Sequence, residues 1–460
     1  MQYVWRPMCH KDTERSSEIN ALTIAGSDPV SGAGIQADIK TFHAFGLYCA
    51  SVITSIVIQN TSGVVERMDL SVESVEKQLN VVLSDMDIKT VKIGVIPKKD
   101  ISFIVRGYIK DFEYVVYDPV LESKNGYKLM DNENLSYIKS EFIKDIFLIT
   151  PNIREAEILT ARKILTKEDI KETCKVLHDM GAKNVLITGG DLNSVDILYN
   201  GSKFFEYRSE KIKKTVHGTG CTFSSAIAAN LAKGNTLERS IEISKKYITE
   251  GIKNSVKCGK GYEVIDHLYR LKKESERYCV LKDLERAFYM LKNENIYDFI
   301  PEVQSNLVFS LKDAENIEDV AGFPGRIIKV DKKIEILGFP DFNASRHMAG
   351  LVLTVMKYNR EIRSAMNIKY SEEIIKACKN LNYTVSYIDR KNEPEEIRKR
   401  EGESLKWEID ETFKKTGKIP DVLYDLGDIG KEAMVRVFGK TPEDVAEKII
   451  KIHRLLEEVQ

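Results

Sequence analysis

The sequence predicts an α/β protein of two domains: a larger three-layer unit with a mainly parallel central sheet, then a second, smaller α/β unit. Three observations carry this. From residue 20 to about 271, near-continuous runs rich in Val and Ile alternate with amphipathic segments, as in a parallel sheet covered on both faces. At 460 residues the chain is too long for one ordinary core. Beyond a charge-dense stretch, "LKKESERYCVLKDLERAFYMLKNEN", short apolar runs again interleave with helical periodicity.

In chain order, residues 1–18 read as an extension. Within 19–270 the predicted strands are "ALTIAGS", "SVITSIVIQ", "TVKIGVI", "EYVVYDPV", "DIFLITPN" and "NVLITGG". Residues 271–290 read as a linker turning into helix, with the boundary in its first third. Within 291–460, "SNLVFSL", "GRIIKV", "KIEILG", "YTVSYID" and "DVLYDLG" read as strands. "SRHMAGLVLTVMKY", "SEEIIKACKNL", "EPEEIRKREGESLKWEIDETFKK" and "TPEDVAEKIIKIHRLLEE" read as helices.

Lys and Arg number 69 against 70 acidic residues, which gives no electrostatic reason to expect nucleic acid or a membrane as partner. The 7 cysteines are scattered without a C-x-x-C pair, which fits a reducing compartment rather than a disulfide frame. No signal-like segment is present, and no run approaches the roughly 18 apolar residues of a membrane span. A cytoplasmic protein acting on small molecules, as a homo-oligomer, is expected.

Two glycine-rich turns suggest phosphate chemistry. "KTVHGTGCTFSSAIAANLAKG", residues 214–234, places Gly218 and Gly220 where a loop becomes a small-residue helix, so amides and the helix dipole can approach an anion. Taken alone, glycine before a helix is more often plain turn chemistry. "AGSDPVSGAGIQADIKTF", residues 25–42, follows the first strand and opens another helix, while no P-loop motif occurs.

With "TSIVIQNTSGV", "VKIGV", "YDPV", "TPNIREAEIL", "HGTGCTFSSAIAA" and the Gly-Lys-Gly turn at 259–261, these stretches come in family order. The first domain resembles the hydroxymethylpyrimidine and hydroxymethylpyrimidine-phosphate kinases of thiamine biosynthesis, within the ribokinase superfamily. The resemblance implies ATP and Mg²⁺ as cofactors. It implies pyrimidine contacts for Asp28 and Gln59, with Val95 packing on the ring, and an anion hole at Gly218, Gly220 and Cys221. It implies ATP phosphate contact for Lys260, nucleotide contacts for Asn152 and Thr188, and Mg²⁺ ligation for Asp118 and Glu155. A first-turn carboxylate favoured by the helix dipole is the competing reading of Glu155. Leu121-Glu122-Ser123-Lys124 replaces the usual Met-Ala-Lys, Thr188 replaces a lysine, and Asp191 a histidine.

Sugar kinases of the superfamily carry aspartate where this chain has Cys221. Phosphoryl transfer is dominated by positioning and electrostatics, so an early base is dispensable. The resembling enzymes also phosphorylate the phosphate monoester they make, and a fixed carboxylate would repel that dianion where a neutral thiol would not. A thiolate favoured by the helix N-terminus is the alternative, and a small buried residue at a tight turn is the bland reading.

In the second domain, "VAGFPGRIIKV", "GFPDFNASRHMAG", "RSAMNIKYSEE", "IDRKNEP" and "PDVLYDLGDIGKEAMVRVFG" resemble the ThiN-type thiamine-phosphate synthase domain, often fused to this kinase. The implied reaction joins pyrimidine diphosphate to thiazole phosphate with loss of pyrophosphate, so it needs cations for the leaving group and a dry pocket for the carbocation. Arg326 and His347 are the implied catalytic pair; Ser345 would cap a helix whose amides, with Arg346, hold phosphate. Asn367, Asp389, Arg390 and Glu393 are further substrate-binding candidates, although "IDRKNEP" also reads as a capped turn.

Two other functions compete. Similar C-terminal domains serve as thiamine-phosphate sensors, but there a DNA-binding unit is the partner and the catalytic arginine and histidine are expected to be lost. Pyridoxal kinase competes for the first domain, against Cys221 and the fused synthase.

Overall fold

A computed structural model describes residues 19–189, 195–210, 212–398, 404–428 and 430–458. The chain divides into two compact units, Met1–Leu271 and Lys272–Gln460.

The first unit is built on nine strands: β1 (Asn20–Ser27), β2 (Tyr48–Asn60), β3 (Gly63–Asp69), β4 (Ile88–Ile93), β5 (Val115–Tyr117), β6 (Leu148–Ile149), β7 (Asn184–Ile187), β8 (Val195–Tyr199) and β9 (Phe204–Arg208). Their order is β3-β2-β1-β4-β5-β6-β7-β8-β9. Pairing is parallel from β2 to β7 and antiparallel at both edges. Successive residues of a strand point to opposite faces, so both faces must be apolar to be covered by helices. They are: Leu22, Ile24, Tyr117 and Ile149 pack into one core, while Ala21, Val116 and Leu148 pack into another. Helices Val72–Asp85, Lys99–Ile109 and Lys167–Asp179 fill the first; helices Gly34–Ala44, Thr219–Ala232 and Leu237–Lys253 fill the second. The strands β3, β8 and β9 at the antiparallel margins were not predicted from the sequence: β3 and β9 mix inner with exposed positions, and Asp196 breaks the apolar run of the five-residue β8.

The second unit carries a seven-stranded sheet in the order Asp341–Phe342, Val320–Gly322, Leu307–Ser310, Ser364–Lys369, Met434–Gly439, Val422–Asp425, Val385–Tyr387. All neighbours pair antiparallel except the last two, which are parallel. Strands Ile327–Val330 and Lys333–Ile336 form a separate hairpin. Ala365, Leu423 and Phe438 face helices Arg346–Tyr358 and Ser404–Thr416, whereas Met366, Val435 and Val437 face helices Tyr269–Glu294 and Pro442–Glu457. The central strands Ser364–Lys369 and Met434–Gly439 escaped the sequence reading, because Asn367 and Arg436 interrupt their apolar pattern. "EPEEIRKREGESLKWEIDETFKK" contains two helices, Glu395–Arg398 and Ser404–Thr416.

Candidate active sites at the strand ends of the two units

In the first unit, the parallel strands bring the candidate side chains to their carboxyl ends, where open α/β sheets bind ligands. Asp28 follows β1, Gln59 ends β2, Val95 follows β4, Asp118 follows β5, Asn152 follows β6 and Thr188 follows β7. Over these ends lies the start of helix Thr219–Ala232, whose N-cap Gly218 has φ 81°. A side chain at Gly218 would put its Cβ 1.7 Å from the Gly32 carbonyl, so the two glycine-rich turns interlock.

Asp28 organises the first of these turns. Its carboxylate accepts hydrogen bonds from the amides of Val30 (2.8 Å), Gly32 (3.0 Å) and Ala33 (2.7 Å), and His217 Nε2 stands 3.5 Å away. Burial raises its pKa, but the neighbouring His217 and Gln59 side chains and the amide hydrogen bonds win and hold it below the usual carboxylate range. Val95 lies in a small apolar cluster with Val57, Val64 and Leu129, and its carbonyl accepts from Thr54 Oγ1 at 2.6 Å.

Asp118 and Cys221 meet. The Asp118 carboxyl is pushed up to about 6 by burial, against the opposing charge of Lys92 and the lowering influence of the neighbouring Cys221 thiol. Its Oδ2 is buried with no hydrogen-bond partner among the described residues. Burial also raises the Cys221 thiol, against Lys92; Asp118 and Asp38 raise it further, so the thiol is neutral. Glu155 and Asn152 form a capping box: the Asn152 amide donates to Glu155 Oε2 and the Glu155 amide to Asn152 Oδ1, each at 2.9 Å. Burial, then the charge of Asp118, raises Glu155 well above the usual range. Thr188 bridges to Asn152 across the ends of β6 and β7.

The Gly-Lys-Gly turn packs on the β2–β3 turn: the Gly261 amide donates to Thr61 Oγ1 (2.9 Å) and the Tyr262 amide to the Thr61 carbonyl (2.8 Å). Lys260 itself is exposed. Lys124, in the stretch that departs from the family pattern, is exposed and donates to the Val216 carbonyl beside the Gly218–Gly220 turn. Asp191 lies outside the described residues.

In the second unit, the loop at residues 302–306 is held from several sides. Amides of Glu302 and Val303 donate to the Glu432 carboxylate, each at 3.1 Å, and the Arg326 guanidinium donates to the Val303 carbonyl. Asn367 takes the Asn306 amide (2.8 Å) on Oδ1 and gives Nδ2 to the Gln304 carbonyl (3.0 Å). Asn306 and Ser345 both flank Gly322, where a Cβ would lie 3.1 Å from Asn306 Oδ1 and 3.4 Å from Ser345 Cβ. Ser345 is the N-cap of helix Arg346–Tyr358, yet its hydroxyl makes no capping hydrogen bond, contrary to expectation. Arg346 and His347 are exposed at the helix start.

Opposite Asn367 in the sheet is Arg436. Arg436 Nη1 reaches Asp425 (2.8 Å) and Glu408 (3.1 Å), while Arg390 binds Asp425 (2.8 Å) and Glu408 (2.9 Å). Glu393 is buried beside them, and neither of its oxygens has a hydrogen-bond partner among the described residues.

Comparison with known proteins supplies the chemistry for this geometry. The family model for phosphomethylpyrimidine kinase matches residues 28–266, and that for thiamine-phosphate synthase ThiN matches residues 283–451. The bifunctional thiamine biosynthesis protein ThiDN of Methanocaldococcus jannaschii is 36% identical over 443 residues, covering 94% of this chain and 98% of the relative. The chain belongs to this family of bifunctional thiamine-biosynthesis enzymes. Its first unit is a hydroxymethylpyrimidine and phosphomethylpyrimidine kinase, and its second a thiamine-phosphate synthase domain. The hydroxymethylpyrimidine/phosphomethylpyrimidine kinase of Aquifex aeolicus is 45% identical, covering 54% of this chain and 99% of that protein. Among solved structures, the ADP complex of Bacillus subtilis pyridoxal kinase is 34% identical with a TM-score of 0.51, covering 55% of this chain and all of that one.

In the kinase unit, sequence reasoning missed Asp38 and Lys92, a buried ion pair under the glycine turns. In the synthase unit it missed Glu408, Asp425 and Arg436. A charged residue inside an apolar run is the available signal, as with Lys92 in "TVKIGVI"; its partner is far away in sequence and leaves no local mark.

Proposed function

We propose that the kinase unit transfers phosphoryl groups from ATP, first to 4-amino-5-hydroxymethyl-2-methylpyrimidine and then to its monophosphate. The synthase unit then couples the diphosphate with hydroxyethylthiazole phosphate, giving thiamine phosphate and pyrophosphate. The observation that carries the kinase reading is the convergence of Gly218, Gly220, Cys221 and Asp118 over the carboxyl ends of the parallel strands.

Amides at the start of helix Thr219–Ala232 would cradle the migrating phosphoryl group, with the dipole favouring its charge. Gln59 and Val95 would bind the pyrimidine. Asp28, whose carboxylate three amides orient without using up its acceptor capacity, would bind it with them. Lys260, Asn152 and Thr188 would face the nucleotide. The Asp118 carboxylate, with an unpartnered buried oxygen, suits an oxygen-seeking Mg²⁺, which would offset phosphate charge. Glu155 is committed to its capping box and would act only through water. The neutral Cys221 thiol lets a dianionic second acceptor approach.

In the synthase unit, Arg326 would hold pyrophosphate oxygens and His347 would donate to the leaving oxygen. Arg346 and the amides of helix Arg346–Tyr358 would bind phosphate. Asn367, Asp389, Arg390 and Glu393 would complete the pocket. The match to ThiDN along nearly the whole chain favours synthesis over sensing. Cytoplasmic location and homo-oligomeric assembly belong to the same reading; exposed Ile56, Val65 and Met68 on β2 and β3 suit a contact between copies. A coupled assay from free hydroxymethylpyrimidine, ATP, Mg²⁺ and thiazole phosphate tests the whole proposal: thiamine phosphate must form, and its absence with active control enzymes would refute it.

A further inference from the structure

The kinase unit contains a buried ion pair to which none of these roles is assigned. Lys92 on β4 and Asp38 on helix Gly34–Ala44 are both fully buried, with Nζ 2.9 Å from Oδ2. Asp38 Oδ2 also accepts from Thr23 Oγ1 of β1 at 2.7 Å, and Oδ1 accepts from Ser225 Oγ of helix Thr219–Ala232 at 2.8 Å. One carboxylate therefore ties together two strands and two helices.

Those two helices begin at the two glycine-rich turns. Asp38 lies four residues after Gly34, and Ser225 four residues after Cys221, so each sits one helical turn below its turn and on the same face. The turns themselves are in contact, through Gly218 against the Gly32 carbonyl and the Gly34 amide against the Cys221 sulfur. Stability alone does not account for the arrangement, because a well-packed apolar cluster generally does as well as a buried ion pair or better. Directed hydrogen bonds do what apolar packing does not: they fix one helix start relative to another.

We propose that Asp38, anchored by Lys92 and Thr23, is a positioning residue of the phosphoryl-transfer site. Through Ser225 it sets the start of helix Thr219–Ala232, and with it the amides of Gly220 and Cys221 around the transferred group. The inference rests on the kinase reading above.

The test uses the full-length chain and Ser225→Ala, which removes the tether and leaves the ion pair in place. Both phosphoryl transfers should lose about tenfold in kcat, since small misplacements are costly in near-attack geometry. KM for ATP and pyrimidine should stay within about twofold, and Tm should fall by no more than a few degrees. Ser225→Thr, which keeps the hydroxyl, should restore kcat. Should Ser225→Ala not fold, Ser225→Cys takes its place with the same expectation. Wild-type kcat in the tether variant, or a loss that only tracks the folded fraction, overturns the inference. Cys221→Ala and Gly220→Val separate the two levels. If they are impaired while Ser225→Ala is not, only the positioning role falls; if they are also unimpaired, the kinase site itself is misassigned.

Discussion

At the scale of single residues, the roles proposed for Cys221 and Asp118 turn on charge. Burial keeps the Cys221 thiol neutral even at a helix start, where an exposed thiol would tend to ionise. Cys221→Asp would place a carboxylate near the acceptor, at a repulsion of about 1 to 4 kcal/mol for unit charges near 4 Å. The second transfer, to the monophosphate, should therefore fall well below the first when each is assayed on its own substrate; equal losses would refute the charge argument. Asp118 yields a pH prediction. Its folded pKa, about 6, lies above the ordinary 3.8, so the folded state holds the proton more tightly than the unfolded chain. Stability is then lost as pH rises from about 4 through 6, and Asp118→Asn should be more stable than wild type at pH 8, by on the order of 3 kcal/mol. Thermal melts of the metal-free protein across that range would show the two curves converging at low pH. Much of this site was legible in the sequence because glycine, aspartate and cysteine at strand and helix ends carry local signals. Glu155 was legible as a first-turn carboxylate, and the capping box bears out that simpler reading of its local structure.

At the scale of elements, the interlocked turns make their own demand. Gly218 adopts φ 81° and leaves no room for a Cβ against the Gly32 carbonyl. Gly218→Ala should cost at least the 1 to 2 kcal/mol or so of left-handed backbone strain, and the clash must also push the turns apart. Kinase turnover should drop by a larger factor than the melting temperature suggests, while thiamine-phosphate formation from supplied pyrimidine diphosphate persists. In the synthase unit, two central strands were invisible to pattern reading for the same reason that they matter. Arg436 and Asp425 sit on the face covered by helix Ser404–Thr416 and meet Glu408 there, far from solvent. Such a residue breaks the apolar run that would have marked the strand, and its partner 28 positions away leaves no trace in the local sequence. Arg436→Met would leave Glu408 and Asp425 short of one cation. Denaturant unfolding of the second unit should show a loss of about 3 to 5 kcal/mol.

At the scale of the whole molecule, two compact units with separate cores carry two sequential reactions. The sequence made that division legible because each unit has its own run of strands and helices, separated by a charge-dense stretch. Separate cores imply that a substitution at one site leaves the other's chemistry intact, unless the sites share residues. Arg326 and His347 belong to the second unit alone, one on a turn with φ 71° held through the Val303 carbonyl, the other at the start of helix Arg346–Tyr358. Arg326→Ala and His347→Ala should therefore leave both phosphoryl transfers at wild-type rates and lower thiamine-phosphate formation by a factor of about 10² or more. In the coupled assay the pyrimidine diphosphate should accumulate in place of thiamine phosphate. Adding a separate thiamine-phosphate synthase to that mixture should restore the product, which would show that the accumulated diphosphate is released to solution. If the kinase rates fell in parallel with the synthase rate, the two units would have to share more than a chain, and the assignment of Arg326 and His347 to the second reaction alone would be wrong.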